Sequence, residues 1–185
     1  MFTETINNIP LSFQTTKTVF SPTCADKGTL AMLSVIDLSP TDKLLDLGCG
    51  YGIVGIYAAK LIGEQNIVMS DSNKKCIELS KQNAEINGVD NVKIVQSDGF
   101  KNLDDKDFTL ILSNPPYHAD FSVPKHFIEK GFNRLIIGGR MLFVVKRLEW
   151  YKRKFIAIFG GLKVHQEEAG YFVLEAVKKT RHYGK

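Results

Sequence analysis

The run Leu44-Leu45-Asp46-Leu47-Gly48-Cys49-Gly50-Tyr51-Gly52 decides how this chain folds. Leu44 to Leu47 is a short, mostly apolar stretch bounded by a turn signal, which reads as a buried strand. The glycines that follow let the backbone turn sharply, and with no Cβ in the way they let a ligand come close. Beyond them Ile53, Ile56, Tyr57 and Leu61 fall at helical spacing, so the loop opens a helix. The next strand, Ile67-Val68-Met69-Ser70-Asp71, closes on a carboxylate. An acidic residue about twenty positions past such glycines suits the two hydroxyls of a ribose.

The same alternation continues downstream. Spacing predicts strands over 44–48, 67–71, 92–96, 108–113 and 140–146, and helices over 53–62, 73–87, near 122–137 and near 149–159. Asn73 caps the second of these helices and Gly88 ends it. Gly138-Gly139 is expected to turn the chain into strand 140–146. Two last strands, 162–168 and 171–177, are joined by a tight turn at Ala169-Gly170, so they must be antiparallel. Upstream, Leu11 to Phe20 alternates loosely and is expected to form strands of an N-terminal lid, with a helix from about Gly28 to Asp37 after it. The pattern predicts an α/β fold: a mostly parallel, seven-stranded sheet, helices on both faces, and a C-terminal antiparallel hairpin.

Further polar groups gather at one edge of that sheet. Asp46 stands in the strand end before the glycines, and strand 92–96 leads to Ser97-Asp98-Gly99-Phe100. The apolar run Phe108 to Leu112 leads to Ser113-Asn114-Pro115-Pro116-Tyr117. Consecutive prolines remove two backbone donors and fix two φ angles, and the residue before a proline is held extended. The result is a stiff rim carrying an amide, carbonyls with no local amide partner and an aromatic face, which is a receptor for a flat group bearing an NH2. A plain proline-rich turn explains Pro115 and Pro116 but not the bracketing Asn114 and Tyr117. Four successive strands thus deliver polar groups to the edge where open α/β sheets hold ligands. Gly50-x-Gly52-x-x-Gly55 also matches the dinucleotide fingerprint, with Asp71 in its place. Asp46, Asp98 and the Asn114–Tyr117 corner argue against a dehydrogenase.

On these residues the chain resembles the class I S-adenosylmethionine-dependent methyltransferases, and more narrowly the methyltransferase small domain of the ribosomal RNA guanine-N2 methyltransferases. The resemblance begins at Val19-Phe20-Ser21 and Asp26-Lys27-Gly28-Thr29 and runs through Leu45 to Gly52, Asp71, Asp98 and Asn114 to His118. It continues through Gly138-Gly139, Val145 to Tyr151 and Gly170 to Ala176. It implies one domain over 1–185, a Rossmann-like catalytic core over 38–185 behind an N-terminal lid and helix over 1–37. Relatives often carry a further N-terminal domain, for which this chain has no room, and many have phenylalanine where Tyr117 stands.

The resemblance implies S-adenosyl-L-methionine as cofactor. Its expected contacts are Thr29, Asp46, Gly48, Cys49, Gly50, Tyr51, Gly52, Asp71, Ser72, Asp98, Gly99, Phe100 and Asn114. Asp46 is expected to hold the methionine ammonium, Asp71 the ribose hydroxyls and Asp98 the adenine amine, unless Asp98 only caps its Ser-Asp-Gly turn. Thr29 either helps bind the methionine carboxylate at a helix start or simply caps that helix. Asn114, Pro115, Pro116 and Tyr117 are the expected catalytic set: Asn114 Oδ1 and the Pro115 carbonyl accept the two hydrogens of an exocyclic amine, and Tyr117 stacks on the base. His118 reads as a surface or packing residue. The expected substrate is guanine N2 of ribosomal RNA. A protein glutamine amide, adenine N6 in nucleic acid, and a non-catalytic RNA-binding role on the same scaffold stay open.

Composition agrees. The hydrophobic share of 44% suits a globular protein, and no run of about eighteen apolar residues suggests a membrane span. Met1 to Pro10 lacks the apolar segment of a secretory signal. Cys24, Cys49 and Cys76 have no paired or metal-like spacing and read as reduced thiols in the cytoplasm. His118, His126, His165 and His182 are scattered, so no metal site is expected. The net charge of +4 leans towards nucleic acid. Lys146, Arg147, Lys152, Arg153 and Lys154 follow a strand, and Lys178, Lys179, Arg181 and Lys185 form a basic tail. Each group is either a phosphate contact or a solvated face.

Overall fold

The computed structural model describes residues 1–19, 21–116 and 120–184, with the backbone alone at 166–168. The chain opens with an antiparallel pair, β1 (Phe2–Ile6) and β2 (Ile9–Phe13), and helix α1 (Lys27–Val35). Then come β3 (Leu44–Leu47), α2 (Ile53–Ile62), β4 (Ile67–Asp71), α3 (Lys74–Ile86), β5 (Lys93–Gln96) and β6 (Phe108–Ser113). The chain closes with α4 (Ser122–Arg134), β7 (Leu135–Val145), α5 (Leu148–Phe159), β8 (Lys163–Glu168) and β9 (Tyr171–Val177).

Strands β3 to β9 form one seven-stranded sheet in the order β5-β4-β3-β6-β7-β9-β8. It is parallel from β5 to β7, and β9 runs antiparallel to both its neighbours. The predicted architecture is therefore the one observed. Helices α1, α2 and α3 cover one face, where Met32, Ile56, Met69 and Leu112 are buried together. Helices α4 and α5 cover the other over Phe108, Ile128, Phe132, Phe143 and Phe155. Strands buried on both faces lose the polar alternation of half-exposed ones. That is why Leu44–Leu47 and Phe108–Leu112 read as near-continuous apolar runs.

Helix α4 stops at Arg134, three residues short of the expectation, and β7 starts at once with Leu135. Gly138-Gly139 is not a turn into the strand but an irregularity inside it. Gly138 has φ 86° and donates its N–H to the Lys178 carbonyl. A Cβ on Gly139 would press on the Phe108 and Ile136 carbonyl oxygens at 3.0 Å, so only glycine lets the strands approach there.

The N-terminal hairpin turns at Asn7 and Asn8, with φ 47° and 67°, a left-handed pair that asparagine tolerates. It docks against α2 and α3. Asn7 Nδ2 donates to the Tyr57 hydroxyl at 2.8 Å, and the Ser12 N–H donates to Asn87 Oδ1 at 3.0 Å. The Phe13 ring meets Tyr51 edge-on at 5.6 Å.

Helix α1 is pressed onto β7 and β9 at Gly28. A Cβ there would lie 2.5 Å from both Tyr171 Cδ1 and Val144 Cγ1. Gly28→Ala is expected to cost about 1–3 kcal/mol by overpacking, read as a melting temperature several degrees lower. An unchanged melting temperature would show that the helix shifts freely.

Candidate active site

Strand order reverses between β3 and β6, and the crevice at such a switch point is where open sheets take ligands. Past the last pair, Asp46 with Leu112, the two strands part. The Ser113 hydroxyl donates to the buried Leu47 carbonyl at 2.7 Å and closes the gap below. Above it lies a cleft of about 380 Å³.

One wall of the cleft is the glycine loop. Gly48 N–H and Cys49 N–H both donate to the Ser70 carbonyl, at 2.8 and 2.9 Å, and Gly50 N–H donates to Asp71 Oδ2 at 2.9 Å. From α3, the Ser80 hydroxyl donates to the Gly50 carbonyl at 2.8 Å and Asn83 Nδ2 to the Tyr51 carbonyl at 2.9 Å. Gly48 and Gly50 have φ 79° and 57°, a region costly for other residues. A Cβ on Gly50 would meet nothing within 4 Å, so the backbone there faces open space. Gly52 belongs elsewhere: it turns the chain into α2 with φ 98°, and a Cβ would strike Met69 Cε at 2.7 Å.

Three carboxylates reach the cleft from successive strand ends. Asp46 is buried, and its Oδ2 accepts the Gly55 N–H from the first turn of α2 at 2.9 Å. Burial pushes its pKa from 3.8 up to about 7; the Gly55 N–H pulls it down and the nearby Asp71 charge adds to the rise. Asp71 is half-buried and is also raised by burial, against the pull of the Asn73, Gly50 and Ser72 amides. Asp98 is exposed at the lip beside Gly99, and Ser72 lines the wall next to Asp71. Ser70 also lines the cleft, and its buried hydroxyl has no hydrogen-bond partner among the described residues.

The opposite wall carries Asn114, Pro115 and Pro116. Asn114 Nδ2 donates to Asp26 Oδ2 at 3.0 Å and to Thr29 Oγ1 at 2.8 Å. A carboxylate can only accept, so Asp26 fixes which end of the amide faces α1 and leaves Oδ1 as the opposite end. Asp26 Oδ2 also accepts the Thr29 N–H at 3.0 Å, and Oδ1 accepts from the Tyr171 hydroxyl at 3.0 Å. Asp26, not Thr29, is thus the N-cap of α1; Thr29 sits one turn in, with its hydroxyl on the amide. Phe100, expected to touch a cofactor, is instead buried in the core under α4, 6.1 Å from the His126 ring, and does not line the cleft. Tyr117 and His118 lie outside the described residues.

The family model described as the methyltransferase small domain matches residues 10–175. This chain belongs to that family. Two curated relatives and one solved structure illustrate the likeness. The uncharacterized protein YbxB of Bacillus subtilis is 33% identical over 178 residues, covering 94% of this chain and 89% of that protein. Ribosomal RNA small subunit methyltransferase C of Psychromonas ingrahamii is 27% identical over 179 residues, 95% of this chain but 51% of its own length. The structure of the Thermus thermophilus 16S rRNA N2 G1207 methyltransferase, RsmC, in complex with AdoMet and guanosine, superimposes with a TM-score of 0.81 at 25% identity. The match covers 96% of this chain and 50% of that one. The chain therefore spans about half the length of the ribosomal RNA methyltransferases it matches.

In this methyltransferase small domain, sequence reasoning missed Asp26 as a site residue, together with Ser80 and Asn83 behind the glycine loop. Asn83 in α3 and Asn87, the C-cap of that helix, stand four apart, and the helical period turns them to one side. Asn83 Oδ1 accepts the Gln14 N–H at 2.7 Å, so one side chain ties the N-terminal segment to the loop. The i, i+4 asparagine pair was the signal available.

Proposed function

We propose that this chain is an S-adenosylmethionine-dependent methyltransferase acting on an exocyclic amine, guanine N2 of ribosomal RNA. The observation that carries the reading is the amide of Asn114, held by Asp26 and Thr29 beside Pro115 on a cleft that three strand-end carboxylates also line. Their fit to S-adenosylmethionine is supported by the open backbone at Gly50, the Ser70 hydroxyl without a partner among the described residues, and the polar walls. Asp46 would take the methionine ammonium, Asp71 the ribose and Asp98 the adenine amine.

That group, when bound, supplies an electrophilic methyl carbon. The rest falls to the chain. An amine conjugated with a purine ring is a poor nucleophile. Asn114 Oδ1 and the Pro115 carbonyl would accept its two hydrogens and draw the nitrogen towards tetrahedral geometry. Asp26 and Thr29 keep the amide from flipping. Tyr117 would stack on the base, which must leave its own stack to reach this rim. Catalysis is then positioning and preorganised dipoles, with the proton leaving after transfer.

The test is methyl transfer from labelled S-adenosylmethionine to ribosomal RNA from a deletion strain, followed by nucleoside mass spectrometry. N2-methylguanosine is the expected product. Label in N6-methyladenosine, in protein glutamine or in nothing would overturn the reading.

Asp46 adds a pH dependence. Its folded pKa of about 7 stands above the ordinary 3.8, so the folded chain binds the proton more tightly than the unfolded one. Stability from this group is full below 3.8 and falls as pH climbs towards 7. An ammonium beside the carboxyl favours its charged form. Binding S-adenosylmethionine near pH 6.5, ~0.5 below that pKa, is therefore expected to release a proton. Calorimetry in buffers of differing ionisation enthalpy reads the release, and Asp46→Asn should abolish it. Equal proton release from that variant would remove Asp46 from the role.

A further inference from the structure

The basic run after β7 is not uniform. Lys154 is tied to Glu129 of α4 at 2.5 Å. Lys152 and Arg153 are exposed on α5, and the Arg153 Nε–H is turned back onto the Glu149 carbonyl at 3.3 Å. Lys146 and Arg147 differ. They follow the end of β7, the neighbour of β6 on the Asn114 side of the switch point. Both are exposed, and each lies over a ring.

Lys146 Nζ stands 4.5 Å from the centre of the Tyr171 ring. Tyr171 donates to Asp26, and Asp26 holds the Asn114 amide. The ammonium is thus three contacts from the amide. The Arg147 guanidinium stands 5.5 Å over Phe121, and Phe121 is stacked on Trp150 with centroids 4.4 Å apart and planes 25° from parallel. Both rings are half-buried. Acidic groups on the same segments are Asp120 and Glu149, both exposed.

We infer that Lys146, Arg147, Phe121 and Trp150 form a docking platform for the single-stranded RNA that flanks the target nucleotide. The inference rests on the RNA reading above. Cations set among aromatic rings suit a chain that offers phosphates and bare base faces together. A duplex hides those faces, and an acidic protein surface supplies none. The platform would hold the neighbouring nucleotide while the target base turns into the cleft.

Trp150 is the single tryptophan of the chain, so its fluorescence reports on the platform alone. The probe is a mixed-sequence single-stranded RNA of about twelve nucleotides, within the usual site sizes, added to protein saturated with S-adenosylhomocysteine. Quenching is expected, with salt-dependent affinity. Lys146→Gln with Arg147→Gln should weaken that affinity about tenfold and lower the salt slope by about 1.4, or 0.7 for each lost phosphate contact. S-adenosylhomocysteine affinity and melting temperature should stay unchanged, which separates lost docking from lost folding. KM for ribosomal RNA should rise while kcat holds.

An unchanged slope and KM in the double variant would overturn the platform. So would equal quenching by duplex RNA or by polyglutamate. If the wild type methylates ribosomal RNA while the double variant behaves identically, only the platform falls. If the wild type transfers no methyl to RNA, the parent reading falls with it.

Discussion

Asn114→Ala is expected to lower turnover about a hundredfold, the loss of roughly 3 kcal/mol of transition-state stabilisation, with S-adenosylhomocysteine affinity little changed. The asymmetry follows from what the side chain touches. Its Nδ2 is committed to Asp26 and Thr29. What alanine removes from the cleft is the oriented oxygen. That oxygen matters only when the amine nitrogen pyramidalises, so the effect belongs in kcat rather than in cofactor binding. Single-turnover kinetics with saturating cofactor, together with calorimetry, measure both. Turnover within a few-fold of wild type would remove the amide from the mechanism.

The second large effect is expected at Asp71. Asp71→Ala should weaken S-adenosylhomocysteine about a hundredfold, in keeping with the loss of charge-assisted hydrogen bonds to two hydroxyls. The carboxylate has a second duty. It accepts from Gly50 N–H at 2.9 Å and from Asn73 N–H at 2.8 Å, so it also braces the glycine loop. Asp71→Asn separates the two. It keeps an oxygen to brace the loop but loses the charge, and should fall between wild type and alanine. Calorimetry showing unchanged affinity in the alanine variant would refute the ribose assignment.

Much of the fold was legible because the sheet is buried on both faces, so its strands read as apolar runs. Helix 53–62 and strand 67–71 sit where spacing put them. Strand β1 was not legible, since Phe2–Ile6 alternates exposed and half-buried residues and covers little core until Ile6. Helix α4 is shorter than expected because Leu135-Ile136-Ile137 fits either period until Leu135 pairs with Phe108 of β6. In the site, acidic residues at strand ends could be read because the topology delivers strand ends to one edge. Asp26 could not be read that way. Its role depends on Asn114 and Tyr171, 88 and 145 positions away, and no local pattern encodes such meetings. Phe100 followed a strand end like the carboxylates, but a phenyl ring gains more from the core under α4 than from the polar rim.

The Asp26 junction also bears on when the chain becomes competent. It gathers one residue from each of three distant stretches, and the last, Tyr171, begins the strand that slots between β7 and β8. A nascent polypeptide halted before residue 171 would already own the glycines, the carboxylates and the prolines. It would still lack the phenol that steadies its aspartate. Synthesis order therefore adds this brace last: a fragment ending before Tyr171 lacks the hydroxyl that donates to Asp26.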